Sequence, residues 1–122
     1  MTPIKECVLN KNTRINPVWL MRQAGRYLPE FREIRKSNPD FIKLCLNHTL
    51  SEKITLQPIK RFGFDAAIIF SDILMVPYGM GQSVEFKKNF GPNLGRLELH
   101  ELESLTKETV SYTHLRAHET TN

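Results

Sequence analysis

The stretch Ala66-Ala67-Ile68-Ile69-Phe70 is apolar at every position and stops at Ser71-Asp72. Five apolar residues without alternation predict a strand buried on both faces, the situation of a parallel strand with helices packed on either side. In α/β proteins the carboxyl ends of such strands face the functional site, so Asp72 is a carboxylate placed where chemistry occurs. The same residue equally suits a cap on the following turn. A second run, Val18-Trp19-Leu20-Met21, follows Pro17 and breaks off at Arg22-Gln23-Ala24-Gly25-Arg26, which predicts a strand leading into a polar loop.

Between the two runs the pattern is helical. Pro29 suits a first helical turn, with Phe31 and Ile34 on one face. A further helix is expected with Ser37 or Asn38 as cap, Pro39 at the first position, Asp40 in the first turn and Phe41, Leu44 and Cys45 on its inner face. Ser51-Glu52 opens another, through Ile54, Ile59 and Phe62; Pro58 is expected to kink or restart it and Gly63 to stop it. Beyond Pro77 the chain turns glycine-rich. Ser83–Phe86 reads as a short hairpin strand, Asn89–Gly95 as a loop and Leu97–Lys107 as an exposed helix. Residues 1–16 form a lead-in without a strong pattern, and Val110–Asn122 has neither an apolar period nor a start signal.

The alternation of helical and strand patterns predicts an α/β fold, and the length limits how much of one. At 122 residues the chain suits one small domain and falls well short of the roughly 250 that a (β/α)₈ barrel needs. Residues 1–61 hold twelve Lys and Arg against five Asp and Glu, whereas the rest is net acidic. A basic half implies an anionic partner: a carboxylate or phosphate, nucleic acid, or an acidic membrane surface. Nucleic acid is disfavoured, because no helix-turn-helix, zinc-finger or aromatic RNA-binding pattern is present and Asp72 would repel phosphates. The longest apolar runs are about five residues against the ~20 needed to cross a bilayer, and Met1–Asn10 has no signal-peptide core. The expectation is a cytoplasmic protein. Cys7 and Cys45 have no metal or redox spacing and are expected as free thiols, and the four histidines have no ligand or triad partners. The glycines form neither dinucleotide nor phosphate-loop motifs.

Two features then carry chemistry. Arg22 and Arg26 flank a small-residue turn, where two guanidiniums and exposed N–H groups near Ala24 and Gly25 suit capture of a carboxylate or phosphate. The bland alternative is a solvated loop with two ordinary charges. Asp72 can accept hydrogen bonds or stabilise a developing cation. Arg32, Arg35, Lys36, Lys60 and Arg61 read as wet helix faces, and Trp19 and Phe31 as core.

The segment PVWLMRQAGRYLPEFREIR, Pro17–Arg35, closely resembles uroporphyrinogen decarboxylases, and LQPIKRFGFDAAIIFSDILMVP, Leu56–Pro77, is similar to the same family at the same relative place. The resemblance covers roughly residues 1–108 and is bacterial in style. It implies the N-terminal part of a cofactor-free (β/α)₈ TIM barrel, incomplete in this chain and homodimeric when intact. It also implies an enzyme of heme biosynthesis that shortens the acetate side chains of the tetrapyrrole uroporphyrinogen to methyls. By that resemblance Arg22, Arg26 and Arg35 meet substrate carboxylates, and Arg22 donates the proton or positions its donor. Gln23, Ala24 and Gly25 lie in the substrate loop, Phe31 is an apolar wall, and Asp72 receives the pyrrole N–H groups. No metal or other cofactor is implied. The family's later site residues, a Tyr, a Ser and a His, are expected beyond this chain, and Ser111, Tyr112 and His114 do not match their surroundings. Residues 1–109 are therefore expected to be barrel and 110–122 a non-native or divergent tail. A corrinoid- or zinc-dependent methyltransferase of the same barrel superfamily, or a non-catalytic truncated chain, are the alternative readings.

Overall fold

The computed structural model describes residues 2–10, 15–87 and 90–103. Its elements are mixed α and β: α1 (Pro3–Asn10), α2 (Pro29–Ser37), α3 (Phe41–Leu46), α4 (His48–Phe62), α5 (Met75–Gly79), β1 (Val84–Lys87), β2 (Gly91–Leu94) and α6 (Leu99–Glu103). The tail 110–122 and the end of the expected Leu97–Lys107 helix lie outside the described residues.

The core forms where α2, α3 and α4 meet. Leu28, Phe31, Ile34, Leu44 and Ile54 are buried together, with Ala24, Phe41, Leu50 and Phe70 packed against them. Phe31 and Ile34 come from the inner face that the α2 pattern predicts, and burying each such side chain contributes about 1.5–3 kcal/mol. Edge-to-face rings carry the packing outward: Phe31 meets Phe70 at 5.6 Å, Phe70 meets Phe41 at 6.1 Å and Phe41 meets Phe86 on β1 at 5.0 Å.

The helix boundaries differ from expectation for a local reason. α2 runs on through Ser37, and Asn38 closes it, its side chain donating to the Ile34 carbonyl at 2.9 Å. The cap of α3 thus passes to Asp40, whose carboxylate accepts from the Lys43 N–H. α4 begins three residues before Ser51, because Asn47 caps it by accepting from the Leu50 N–H. It runs through Pro58 to Phe62, and Gly63, at φ 70° and ψ 31°, ends it in the left-handed region as expected. The featureless lead-in contains α1, and the expected Asn89–Gly95 loop contains β2. There β2 pairs antiparallel with β1 in the register Val84 to Leu94 and Lys87 to Gly91.

The two expected strands are corrected more deeply. Neither Val18–Met21 nor Ala66–Phe70 joins a ladder among the described residues, and the latter is not buried on both faces: Ile68 is 53% and Ile69 44% exposed. Side chains take the place of neighbouring strands. Ser51 on α4 donates to the Phe70 carbonyl, Thr55 accepts from the Phe70 N–H, and Thr55 in turn donates to the Ser51 carbonyl. The extended segment is thereby held against α4 from one side and left open on the other.

Candidate functional site

The extended segments Val18–Met21 and Ala66–Phe70 end in the loops that carry the expected site residues. They are joined at their starts, where the Asp65 N–H donates to the Val18 carbonyl at 3.0 Å and the Val18 N–H donates to the Asp65 carboxylate at 2.7 Å. Two residues on from Val18 and one on from Asp65, Gln23 bridges Leu20 and Ala66: its Oε1 accepts from the Leu20 N–H at 3.1 Å and its Nε2 donates to the Ala66 carbonyl at 2.6 Å. The segments therefore run alongside one another in the same direction. Gln23 in the first loop thus meets the start of the second segment, and the Ser71-Asp72 turn follows that segment's end.

Within the first loop the residues divide sharply. Arg22 and Arg26 are exposed, and their guanidiniums make no ion pair among the described residues. Gln23 is buried with both ends of its amide spent on main chain, and its own carbonyl accepts from the Tyr27 hydroxyl. Ala24 packs on the core and Gly25 lies half-buried in the turn. The Leu28 N–H closes the turn on the Gly25 carbonyl, and Arg32 fixes its exit by donating to the carbonyls of Arg26 and Tyr27.

Asp72 is half-buried. Its Oδ1 accepts from the Leu74 N–H at 2.9 Å and its carbonyl from the Met75 N–H, so it does hold the turn before α5. Holding the turn also fixes the carboxylate, leaving Oδ2 without a hydrogen bond among the described residues. Burial, helped by the Asp72 charge and opposed by Arg35, pushes the Cys45 thiol up to about 12. Asp72 and Arg35 thus act electrostatically on a common neighbour. Arg35 itself donates to the Asn38 and Pro39 carbonyls and lies over the Phe41 ring at 5.2 Å. That ordered guanidinium retains other N–H groups for a ligand.

Beside α2 lies an open hollow of about 440 Å³ lined by Arg26, Phe31, Arg32, Arg35, Lys36 and Pro39. Its floor is apolar and its rim cationic, so it suits a flat, partly apolar molecule bearing carboxylates. Lys36 is partly neutralised by Glu33 at 2.6 Å. Arg26, Arg35 and Phe31 were expected at a site; Arg32 and Lys36 were read as solvated charges. The available signal was their spacing, since positions 32, 35 and 36 share one face of a helix. Arg61 is not a free surface charge either, for it forms a two-point pair with Glu30 at 2.8 and 3.0 Å that ties α4 to α2. Cys7 and Cys45 are both free thiols, and no helix among the described residues is long and apolar enough to cross a membrane.

Residues 2–119 match the sequence profile of the uroporphyrinogen decarboxylase (URO-D) family. Curated relatives named uroporphyrinogen decarboxylase include those of a Chelativorans species, 50% identical over 94 residues, and of Rickettsia felis, 50% identical over 93. These matches take in 77% and 76% of this chain and 28% and 27% of the relatives. The Agrobacterium fabrum relative is 50% identical over 104 residues, 84% of this chain and 30% of its own length. The chain thus spans under a third of each of these proteins.

Proposed function

Because this chain belongs to the uroporphyrinogen decarboxylase family, we propose that it supplies the arginine loop and the central aspartate of an enzyme that converts uroporphyrinogen to coproporphyrinogen. The observation that carries this reading to a substrate is the hollow beside α2, an apolar floor of Phe31 and Pro39 rimmed by Arg26, Arg32, Arg35 and Lys36. A tetrapyrrole polycarboxylate has the matching chemistry, with apolar ring edges and acidic side chains at its periphery.

Arg22, Arg26 and Arg35 bind peripheral carboxylates, Phe31 walls the ring, and the small residues Ala24 and Gly25 let it approach the loop. Asp72 accepts the pyrrole N–H groups through its unengaged oxygen. The reaction begins with a proton delivered to a pyrrole carbon, with Arg22 as donor or positioner of the donor, and the ring becomes cationic. The Asp72 carboxylate stabilises that charge. The bond between the acetate methylene and its carboxylate then breaks, CO₂ leaves and the electron pair flows into the ring. Protonation of the methylene and loss of the ring proton leave a methyl group, with one proton consumed overall. The substrate serves as its own electron sink, so the chemistry requires no cofactor.

On this reading residues 1–109 are the opening βα units of a (β/α)₈ barrel, 110–122 are a divergent or non-native tail, and the complete enzyme is a cytoplasmic homodimer. The test is to incubate uroporphyrinogen with a chain of the relatives' length that carries these residues, then separate the oxidised products by carboxyl number. The Asp72→Asn variant is expected to lose at least about a hundredfold in turnover while keeping its fold, the scale on which a charge-stabilising group acts. Near-normal turnover by that variant, or no conversion by the parent, would sink the assignment.

A further inference from the structure

We propose that Gln23 is a positioning residue: its side-chain amide clamps the Arg22–Arg26 loop to the start of the Ala66–Phe70 segment and so holds the two arginines in place for substrate carboxylates. The proposal rests on the functional reading above but is carried by its own geometry. Gln23 is 4% exposed, inside a loop whose neighbours Arg22 and Arg26 are both exposed. Its Oε1 is taken by the Leu20 N–H and its Nε2 by the Ala66 carbonyl. Those two groups belong to the two segments that lead into the two functional loops. In a sheet interior the ladder would fix the spacing of such segments; here Val18 and Asp65 pair directly and Gln23 supplies the next link through its side chain. The Tyr27 hydroxyl, donating to the Gln23 carbonyl, holds the clamp from behind.

The chemistry of the position is restrictive. Leucine keeps most of the volume but offers neither donor nor acceptor, leaving the Leu20 N–H and Ala66 carbonyl without their partner. Asparagine has the same amide on a side chain one methylene shorter, so it reaches one segment and not both.

Two measurements on the 122-residue chain test the proposal. The first is amide hydrogen exchange followed by nuclear magnetic resonance. In Gln23→Leu the Leu20 and Asp65 amides are expected to exchange at least about tenfold faster while amides within α4 stay within about twofold, the signature of a local opening rather than a global one. Gln23→Asn should show a smaller acceleration at the same two amides. Unchanged exchange at Leu20 and Asp65 overturns the clamp, and so does equal acceleration throughout α4, which would make Gln23 a general core residue.

The second is a spectroscopic titration with uroporphyrin, the stable oxidised form of the proposed substrate. Gln23→Leu is expected to weaken binding about tenfold in the parent and about twofold or less in a background carrying Arg22→Gln and Arg26→Gln, since a residue acting through the placement of the arginines has little left to do without them. Additive losses mean that Gln23 acts independently of Arg22 and Arg26 and overturn the proposal. If the parent chain takes up no uroporphyrin, the functional reading fails in this chain, and the exchange rates still decide the clamp.

Discussion

Gln57 illustrates how far burial alone can mislead at the scale of a residue. It lies buried on α4 with neither Oε1 nor Nε2 hydrogen-bonded among the described residues. An amide in that position forfeits its bonds to water, so Gln57→Leu is expected to raise stability by about 1–2 kcal/mol, read from the urea midpoint. Ile54 on the same helix is 0% exposed at the centre of the core. Ile54→Ala should cost about 2–5 kcal/mol by the same measurement, because the space it leaves can collapse only in part. The half-buried Glu30 pairs with Arg61, whose guanidinium bonds hold its carboxyl down to about 2 from 4.5. A lowered carboxyl stabilises the fold above its unfolded value, and that contribution fades as pH falls from about 4.5 through 2. Acid unfolding of Arg61→Gln should lack this component, and solvent screening keeps it modest.

At the scale of elements, the short connections between helices are set by polar side chains that cap at positions shifted from those expected. Asn38 terminates α2, Asp40 starts α3 and Asn47 starts α4. Asn38 and Asp40 were expected near a helix start, whereas Asn47 was not, because that helix was expected to open at Ser51. Which one caps which helix depended on where the preceding helix stopped. Asn47→Ala is expected to cost about 0.5–2 kcal/mol and to fray the first turn of α4, seen as faster exchange at Leu50 and its neighbours. The same element carries Ser51 and Thr55, whose hydroxyls engage both backbone groups of Phe70. No helical pattern marks those two hydroxyls as partners of an extended segment, because the segment they serve lies more than a turn of helix away in sequence.

At the scale of the molecule, the consequence is an extended layer open on one side. Ile68 and Ile69 stand about half exposed, with Val18 and Leu20 on the neighbouring segment exposed as well. Apolar surface left in that state favours association. The chain is expected to show concentration-dependent sedimentation that Ile69→Lys reduces; a monodisperse monomer at all concentrations would contradict this. The functional loops emerge from this same layer, so their geometry depends on how its segments are tied. The ties are Asp65 and Gln23 rather than a continuous ladder.

The order of residues alone determined the existence of α2, α3 and α4, the αL stop at Gly63 and the two motifs that place Arg22, Arg26 and Asp72 at segment ends. These are local properties, written in period, capping chemistry and short motifs, and they survive without knowledge of distant neighbours. Only the tertiary structure decided that Ala66–Phe70 is half open rather than enclosed, since burial of a strand is a property of what packs on it. It also decided that Arg32 and Lys36 join Arg26 and Arg35 around one hollow. Gln23 changed most: a residue of a polar loop by sequence, it proves to be buried, because its two partners sit 3 and 43 positions away and only folding brings them to the same amide.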